Sequence, residues 1–351
     1  MMTRLFEDIS NEPARLLSSL THIFQAGRDA MREAAQILRK AAHIYVVGIG
    51  SSWHAGIAVH SFFSAQGRPV HLADASELLH FSELPANAAV ILLSRSGKSL
   101  EIVQMLEKCR ASKAKIVGVT NTIDSPLGAR ADVALELKAE FDHLVSISMY
   151  SALAMTGALL ACETGGGLHD SLKVLLEQAI EGARLAIHRW KSLIDSSDWL
   201  EPGAWTYFLA RGASLASAHE ARLLWEEASK APASVVSTGG FRHGPQEVVQ
   251  RGLRIALWID GAKMRAQDLA LANDLRSHGA RVLIIGQNLP ANPGNLVITL
   301  PAIPAPWQFL VDIIPLQIAA ERLAHLRGED CDSFRFCSYI IEAEGGLKTQ
   351  A

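Results

Sequence analysis

HIYVVGIGSS, residues 43–52, joins an apolar strand (His43–Val47) to a turn of glycines and serines, and a small-residue helical stretch from Trp53 to Gln66 follows. The same order returns at residues 88–99, AAVILLSRSGKS. An apolar run over Ala88–Leu93 meets a serine-rich loop, and a helical pattern over Ser99–Ala111 comes next. Apolar strands that alternate with helices imply a parallel sheet covered on both faces. Pro69–Ala73, Lys115–Thr120 and Val133–Leu137 read as further strands of that sheet. Upstream, residues 11–40 carry a helical period in Leu16, Leu17, Leu20, Ile23 and Phe24, continued by Ala30, Met31, Ala34, Ala35 and Leu38.

The second half repeats the plan. Helical residues 168–193 lead to a strand at Trp205–Ala210, which ends in Arg211-Gly212-Ala213. Helix Ser214–Lys230, strands Ala233–Ser237 and Leu253–Asp260, helix Gln267–His278, strands Val282–Ile285 and Leu296–Leu300, and helix Trp307–Leu326 complete it. The spacing of elements implies an internal duplication. The expected fold is therefore α/β, with two doubly wound parallel-sheet domains in tandem. Their bounds are 41–165 and 195–328, preceded by a helical segment at 1–40 and followed by a tail at 329–351. Cys331, Phe334, Phe336 and Tyr339 make that tail too apolar to hang free, so it is expected to pack against a domain.

Composition narrows the function. A chain of 351 residues, 49% of them hydrophobic, suits two globular cores. Thirty-three basic against 36 acidic residues leave no bulk charge for nucleic acid or an anionic membrane, and residues 1–40 hold no basic recognition helix. Cysteines at 109, 162, 331 and 337 form no C-x-x-C pair, so neither a zinc site nor a redox dithiol is expected. Few cysteines and an N-terminus without an apolar signal core fit the cytoplasm. Leu144 to Cys162 has no charged residue but carries Ser146, Ser148, Tyr150, Ser151, Thr156 and Gly157. It reads as a helix buried in a domain or a subunit interface, not as a membrane span.

The two serine loops are the first candidates for chemistry. Gly48 to Ser52 offers a tight turn and a helix N-terminus, which suit a phosphate. A dinucleotide fingerprint would need glycine at Trp53, and a capping serine (Ser51 or Ser52) is the plain alternative. Ser94-Arg95-Ser96-Gly97-Lys98-Ser99 resembles the end of a phosphate-binding P-loop, but Leu92 stands where that motif needs glycine. Two such loops after strands of one sheet would line the crevice at the strands' carboxyl ends. In the second half, Glu220 and Glu227 share a helical face, and Glu226 points away from Glu227. His243 lies sixteen residues beyond Glu227, before Gly244 and Pro245, which read as the N-cap and first residue of a helix. There the helix dipole would keep the imidazole neutral. A carboxylate with a neutral imidazole suffices for acid–base work beside a sugar carbonyl.

These features together resemble the sugar isomerase (SIS) family, in particular its tandem-domain isomerases and the related phosphosugar deglycases and deaminases. The family's first phosphate loop, G-x-G-T/S-S, is matched by Gly48 to Ser52, its second, S-x-S-G-x-T/S, by Ser94 to Ser99, and its glutamate-to-HGP spacing by Glu227 and His243. The resemblance implies phosphate and sugar binding by Gly50, Ser51, Ser52, Ser94, Ser96, Gly97 and Ser99, and by Ser148 on the sugar wall. It implies Glu227 as the base that moves a proton between C1 and C2, and His243 as a ring-opening group delivered by a neighbouring subunit. The active unit is then a homodimer, with a phosphorylated sugar as substrate and no metal or organic cofactor.

The sequence departs from the family in four places. The 351 residues include no glutaminase domain, Lys98 stands where a glutamate is frequent, and only small hydroxyl residues remain on the wall at 145–148. Tyr339 takes the place of a tail lysine, with Lys348 nine residues further on. These changes put amination of fructose 6-phosphate in doubt and keep proton transfer at C2. The sequence thus leaves two expectations, a phosphosugar isomerase, deaminase or deglycase and, as the alternative, a non-catalytic phosphosugar sensor.

Overall fold

The computed structural model describes residues 2–290 and 296–341. It opens with helices α1 (Arg4–Phe24) and α2 (Arg28–Lys40). The expected single helix at 11–40 therefore starts earlier and is broken, because Gly27 N turns back onto His22 O at 2.8 Å. The α2 face Met31, Ala34, Ala35 and Leu38 is buried, as its spacing predicts.

A first group of elements follows: β1 (His43–Gly48), α3 (Ser51–Ala65), β2 (His71–Asp74), α4 (Ala75–Phe81), β3 (Ala88–Leu93), α5 (Leu100–Ala111), β4 (Lys115–Thr120), α6 (Pro126–Arg130) and β5 (Val133–Glu136). The strands pair in parallel in the order β2-β1-β3-β4-β5. Every residue of β3 is buried, which explains its unbroken apolar sequence. α7 (Ser148–Thr164) packs on α3, where a Cβ at Gly157 would lie 2.3 Å from Val59 Cγ2. Fifteen of its seventeen residues are buried, so the uncharged stretch at 144–162 is an internal helix. Among the described residues no helix is long and apolar enough to cross a membrane.

The second group comprises α8 (Asp170–Asp195), β6 (Thr206–Ala210), α9 (Ser214–Glu227), β7 (Ser234–Ser237), α10 (Thr238–Phe241), β8 (Arg254–Trp258), α11 (Arg265–Ser277), β9 (Arg281–Gly286), β10 (Leu296–Thr299), α12 (Phe309–Asp312) and α13 (Ile314–Arg327). Its sheet order, β7-β6-β8-β9-β10, repeats that of the first sheet strand for strand, again in parallel. The expected helix at 307–326 is interrupted before Pro315, whose ring excludes the i−4 carbonyl and which has no N–H to give. Both sheets have the 2-1-3-4-5 order of doubly wound α/β folds, with the order reversing between β1 and β3 and between β6 and β8. Of the described residues, 14–142, 146–177 and 334–341 form one compact unit, and 2–13, 143–145, 178–290 and 296–333 form the other.

Phe208, Trp225, Trp258 and Trp199 make a chain of edge-to-face rings in the second unit. Asp312 is fully buried in this unit. It accepts a hydrogen bond from Ser214 Oγ at 2.6 Å, and its Oδ1 has no partner. Burial pushes its carboxyl up to about 6, against hydrogen bonds that favour the ion. The raised value sets the sign. Neutral Asp312 stabilises the fold fully below pH 3.8, and that contribution disappears as pH rises through about 6. Asp312→Asn is expected to gain stability relative to wild type by roughly 2–3 kcal/mol between pH 4 and pH 7. Urea unfolding at stepped pH measures this, and a pH-independent difference would refute it.

Candidate functional site

The first unit carries both serine loops at the carboxyl ends of β1 and β3, neighbours paired from His43↔Ala88 to Val47↔Leu92. These are the strands between which the sheet order reverses. The first loop turns at Gly50, with φ +56°, and Gly50 is itself the N-cap of α3. Neither Ser51 nor Ser52 takes the capping position expected of it; both are helical and half-buried. A helix capped by glycine has no side chain over its first N–H groups, which leaves that end open to an anion.

In the second loop, Ser94 Oγ accepts from Gly97 N (3.1 Å) and Ser96 Oγ from Lys98 N (3.3 Å). A hydroxyl that accepts from its own loop keeps its proton to donate elsewhere, here to a ligand oxygen. Ser99 is the N-cap of α5 by position, but its side chain makes no capping bond. The Leu100 N–H at that end reaches Ile341 O at 3.2 Å. Gly97 has φ +63°, and a Cβ there would lie 2.0 Å from Ser125 Oγ. Lys98 is exposed.

Arg95 does not face outward as a loop cation. Its Nη2 donates to Tyr339 O at 2.7 Å, and its guanidinium lies 4.1 Å from the Tyr339 ring centre. The Tyr339 hydroxyl donates to Asp142 O at 3.0 Å. The tail thus packs on the second serine loop, and the phenol at the expected lysine position is a clamp, not an acid. Lys348 lies outside the described residues.

Ser148 is fully buried at the start of α7, where its Oγ accepts from Arg15 Nη1 at 3.3 Å. With no exposed surface it lies inside the start of the helix and not on an open wall. The residue that sequence reasoning missed is Asp142. Its carboxylate accepts from the backbone N–H groups of Ile147, Ser148 and Met149 at 2.9–3.0 Å and pairs with Arg15 at 3.2 Å. It stabilises the positive end of α7 from five residues upstream of the N-cap, too far for a capping signature in sequence.

In the second unit, Glu227 is the last residue of α9 and is half-buried. Glu226 beside it is engaged by Arg222 at 2.6 Å, and Glu220 is only 1% exposed. The end of α9 is held through its carbonyls. Lys230 Nζ donates to Glu227 O, and Arg327 Nε donates to Ser229 O at 3.0 Å. His243 is exposed, and its N–H donates to Gly240 O at 2.9 Å. Gly244 and Pro245 do start a helix, but it is a 3-10 turn of four residues, Pro245–Val248. The expected dipole effect on His243 loses its basis, since so short a turn sums few peptide dipoles.

α9 returns to the amino end of β7, and His243 follows the carboxyl end of that strand. Four strand residues span about 13 Å. Within one chain Glu227 and His243 therefore lie toward opposite ends of β7.

In the second sheet the loop after β8 carries an acid where the loop after β3 of the first carries serines. Gly212 (φ +55°) mirrors Gly50, but the loop after β8 holds Asp260, which accepts from Lys263 N and Met264 N, each at 2.7 Å. Arg211 pairs with buried Asp268 at 2.8 Å. No group of three or more potential metal ligands occurs among the described residues.

Residues 37–162 match the SIS domain family. A glutamine–fructose-6-phosphate aminotransferase (isomerizing) of Aeropyrum pernix is 26% identical over 97% of this chain, which spans 57% of that relative's length. Among solved structures, the C-terminal domain of glucosamine-fructose-6-phosphate aminotransferase from Francisella tularensis superposes with a TM-score of 0.83 at 19% identity, covering 95% of this chain and 99% of that one. Glucosamine-6-phosphate deaminase from Thermotoga maritima gives 0.80 at 18% identity, covering 97% and 99%. The chain carries a SIS domain match over its first sheet and has the α/β fold of these proteins throughout.

Proposed function

We propose that the chain is a phosphosugar enzyme of the isomerase, deaminase or deglycase kind, acting by proton transfer between C1 and C2 of a sugar or amino-sugar 6-phosphate. The observation that carries this reading is the pair of serine loops at the β1/β3 reversal, where Ser94 and Ser96 keep donor protons beside an uncapped helix end. Gly50, Ser51, Ser52, Ser94, Ser96, Gly97 and Ser99 hold the phosphate, and Glu227 moves the proton. The carbonyl or imine of the substrate is its own electron sink, so the step needs no metal or organic cofactor. The kinds of protein that share this fold support the reading.

The proposed unit is a cytoplasmic homodimer with tandem SIS domains at 41–165 and 195–328, a helical segment at 1–40 and a tail at 329–351 beside the site. The separation of Glu227 and His243 along β7 supports the dimer, because a histidine remote from its own glutamate can serve that of a second copy. Ser148 leaves the proposed sugar wall because it is fully buried.

Proton NMR in heavy water tests the activity on fructose 6-phosphate, glucose 6-phosphate, glucosamine 6-phosphate and a fructosamine 6-phosphate. The expected result is solvent deuterium entering C1 or C2 of one of them. Binding to any of the four by thermal shift, without exchange, would move the protein to the second reading, a sensor. That reading draws on Tyr339, whose hydroxyl is spent on Asp142 where the resemblance places a lysine. No binding to any of the four would end both readings.

A further inference from the structure

A cavity of about 170 Å³ opens in the second unit at the amino ends of β6, β7 and β8, the edge opposite the crevice loops. Trp205, Thr206, Ser234, Arg254, Leu323 and Arg327 line it. Arg254 is 1% exposed, and none of its ion-pair distances reaches a carboxylate among the described residues. Its Nε donates to Trp199 O at 3.0 Å, Nη1 to Thr206 Oγ1 at 3.1 Å, and Nη2 to Glu201 O. The rings of Trp199 and Trp225 lie 5.6 and 5.9 Å from its guanidinium carbon. All of these partners are uncharged.

A buried cation with only neutral partners is costly. Burial, then the nearby Arg281 and Arg327, bring Arg254 down to about 10, with Glu201 opposing. Glu201 itself is engaged by Arg281 at 2.5 Å. Arg327 adds a second guanidinium to the cavity wall. It spends Nε on Ser229 O and Nη2 on Lys230 O, and no protein group among the described residues takes Nη1. The half-buried Ser234 hydroxyl likewise has no protein partner among them. Trp205 is 77% exposed at the rim, an unusual place for an indole that covers nothing.

We propose that this cavity is a second ligand site, which takes a small oxyanion, a phosphate or carboxylate group borne on a few carbons at most, between Arg254 and Arg327. Guanidinium forks match both oxyanions, and a cavity of about 150 Å³ holds a molecule the size of benzene. The Ser234 hydroxyl supplies a further donor, and Trp205 covers the apolar side of the ligand. Neither Glu227 nor His243 lines the cavity, so the site is separate from the proposed chemistry. Arg327 joins the two through its bonds to Ser229 and Lys230, the turn that closes α9 behind Glu227.

Crystals of the full chain soaked in selenate test the placement by anomalous diffraction. A selenium peak within hydrogen-bond reach of Arg254 and Arg327 is the expected result. A peak at the serine loops would bear on the proposed function alone, so the two readings stand or fall separately. In solution, calorimetry with inorganic phosphate and with pyruvate is expected to show one binding event weakened at least tenfold by Arg327→Gln and severalfold by Ser234→Ala. The Ser234 hydroxyl bonds no protein group among the described residues, so its variant is expected to fold as wild type even if the arginine variant does not. An empty cavity in the selenate map, or affinities for both anions unchanged by Ser234→Ala, would overturn the proposal.

Discussion

Glu227→Gln is expected to slow solvent exchange into the phosphosugar by 10²–10⁴-fold while the sugar still binds. The range is what a positioned general base contributes, about 3–5 kcal/mol of barrier. Glutamine keeps the shape of the side chain and cannot take a proton. The fold is expected to survive, because Lys230 holds Glu227 O and Arg327 holds Ser229 O and Lys230 O, backbone carbonyls that glutamine leaves in place. Binding is expected to survive because the phosphate is assigned to the serine loops. The neighbouring acids are poor substitutes: Glu226 is held by Arg222, and Glu220 is sealed inside. Exchange at the wild-type rate would place the base elsewhere.

The same variant tests the shared site. Mixed one to one with His243→Ala and allowed to exchange subunits, it should recover about a quarter of wild-type activity. Half the dimers are then mixed, and one of the two sites in each pairs an intact glutamate with an intact histidine. Recovery requires that the two residues act across copies. No recovery, with subunit exchange demonstrated, would place both in one chain and contradict their separation along β7.

The sheets were legible in sequence because central parallel strands are buried on both faces. Ala88–Leu93 and Lys115–Thr120 are apolar without alternation, and their bounds match the structure. The duplication was legible in the order of elements, since a βαβ unit repeats its period even when its residues change. The breaks were harder to see. The apolar spacing runs on through Gly27 and through Pro315, and at each place a backbone property overrode the side-chain period.

At the candidate site, the loops were legible because glycine and serine at strand ends leave a compositional trace. The exposure of a serine leaves none. Ser148 has the right type at the right place, yet it is fully buried beside Arg15, a residue 133 positions away. Asp142 and Tyr339 belong to the same class. Tyr339 answers to partners distant in sequence, and Asp142 reaches the start of α7 from too far upstream for a capping pattern, so no local signature announces either. The two units also differ in their loops. The loop after β3 carries serine hydroxyls that accept from its own N–H groups, and the loop after β8 carries the Asp260 carboxylate accepting from Lys263 N and Met264 N.

Gly97→Ala is expected to cost about 3–5 kcal/mol and to weaken phosphosugar binding at least a hundredfold. Two effects add. An alanine at φ +63° pays roughly 1–2 kcal/mol for the left-handed backbone. The new methyl would also lie 2.0 Å from Ser125 Oγ and 2.8 Å from Ser125 Cβ. Ser125 is fully buried and cannot swing into solvent. Its Oγ caps α6 by accepting from Gly128 N at 3.2 Å, so displacing it loses a cap as well as packing. The alternative is for the loop to move, which breaks the bond from Gly97 N to Ser94 Oγ and that from Leu127 N to Gly97 O. Either response disturbs the serines assigned to the phosphate.

Gly166→Ala is the matched control, with φ +80° but nothing within 4 Å of its Cβ; it should lose only the backbone part. Ser125→Gly placed in the Gly97→Ala background removes both clashing atoms and should recover part of the binding. Thermal unfolding and phosphosugar titration of the three variants beside wild type separate strain from collision. A Gly97→Ala protein that melts and binds as Gly166→Ala does would show that the loop has room the structure denies it.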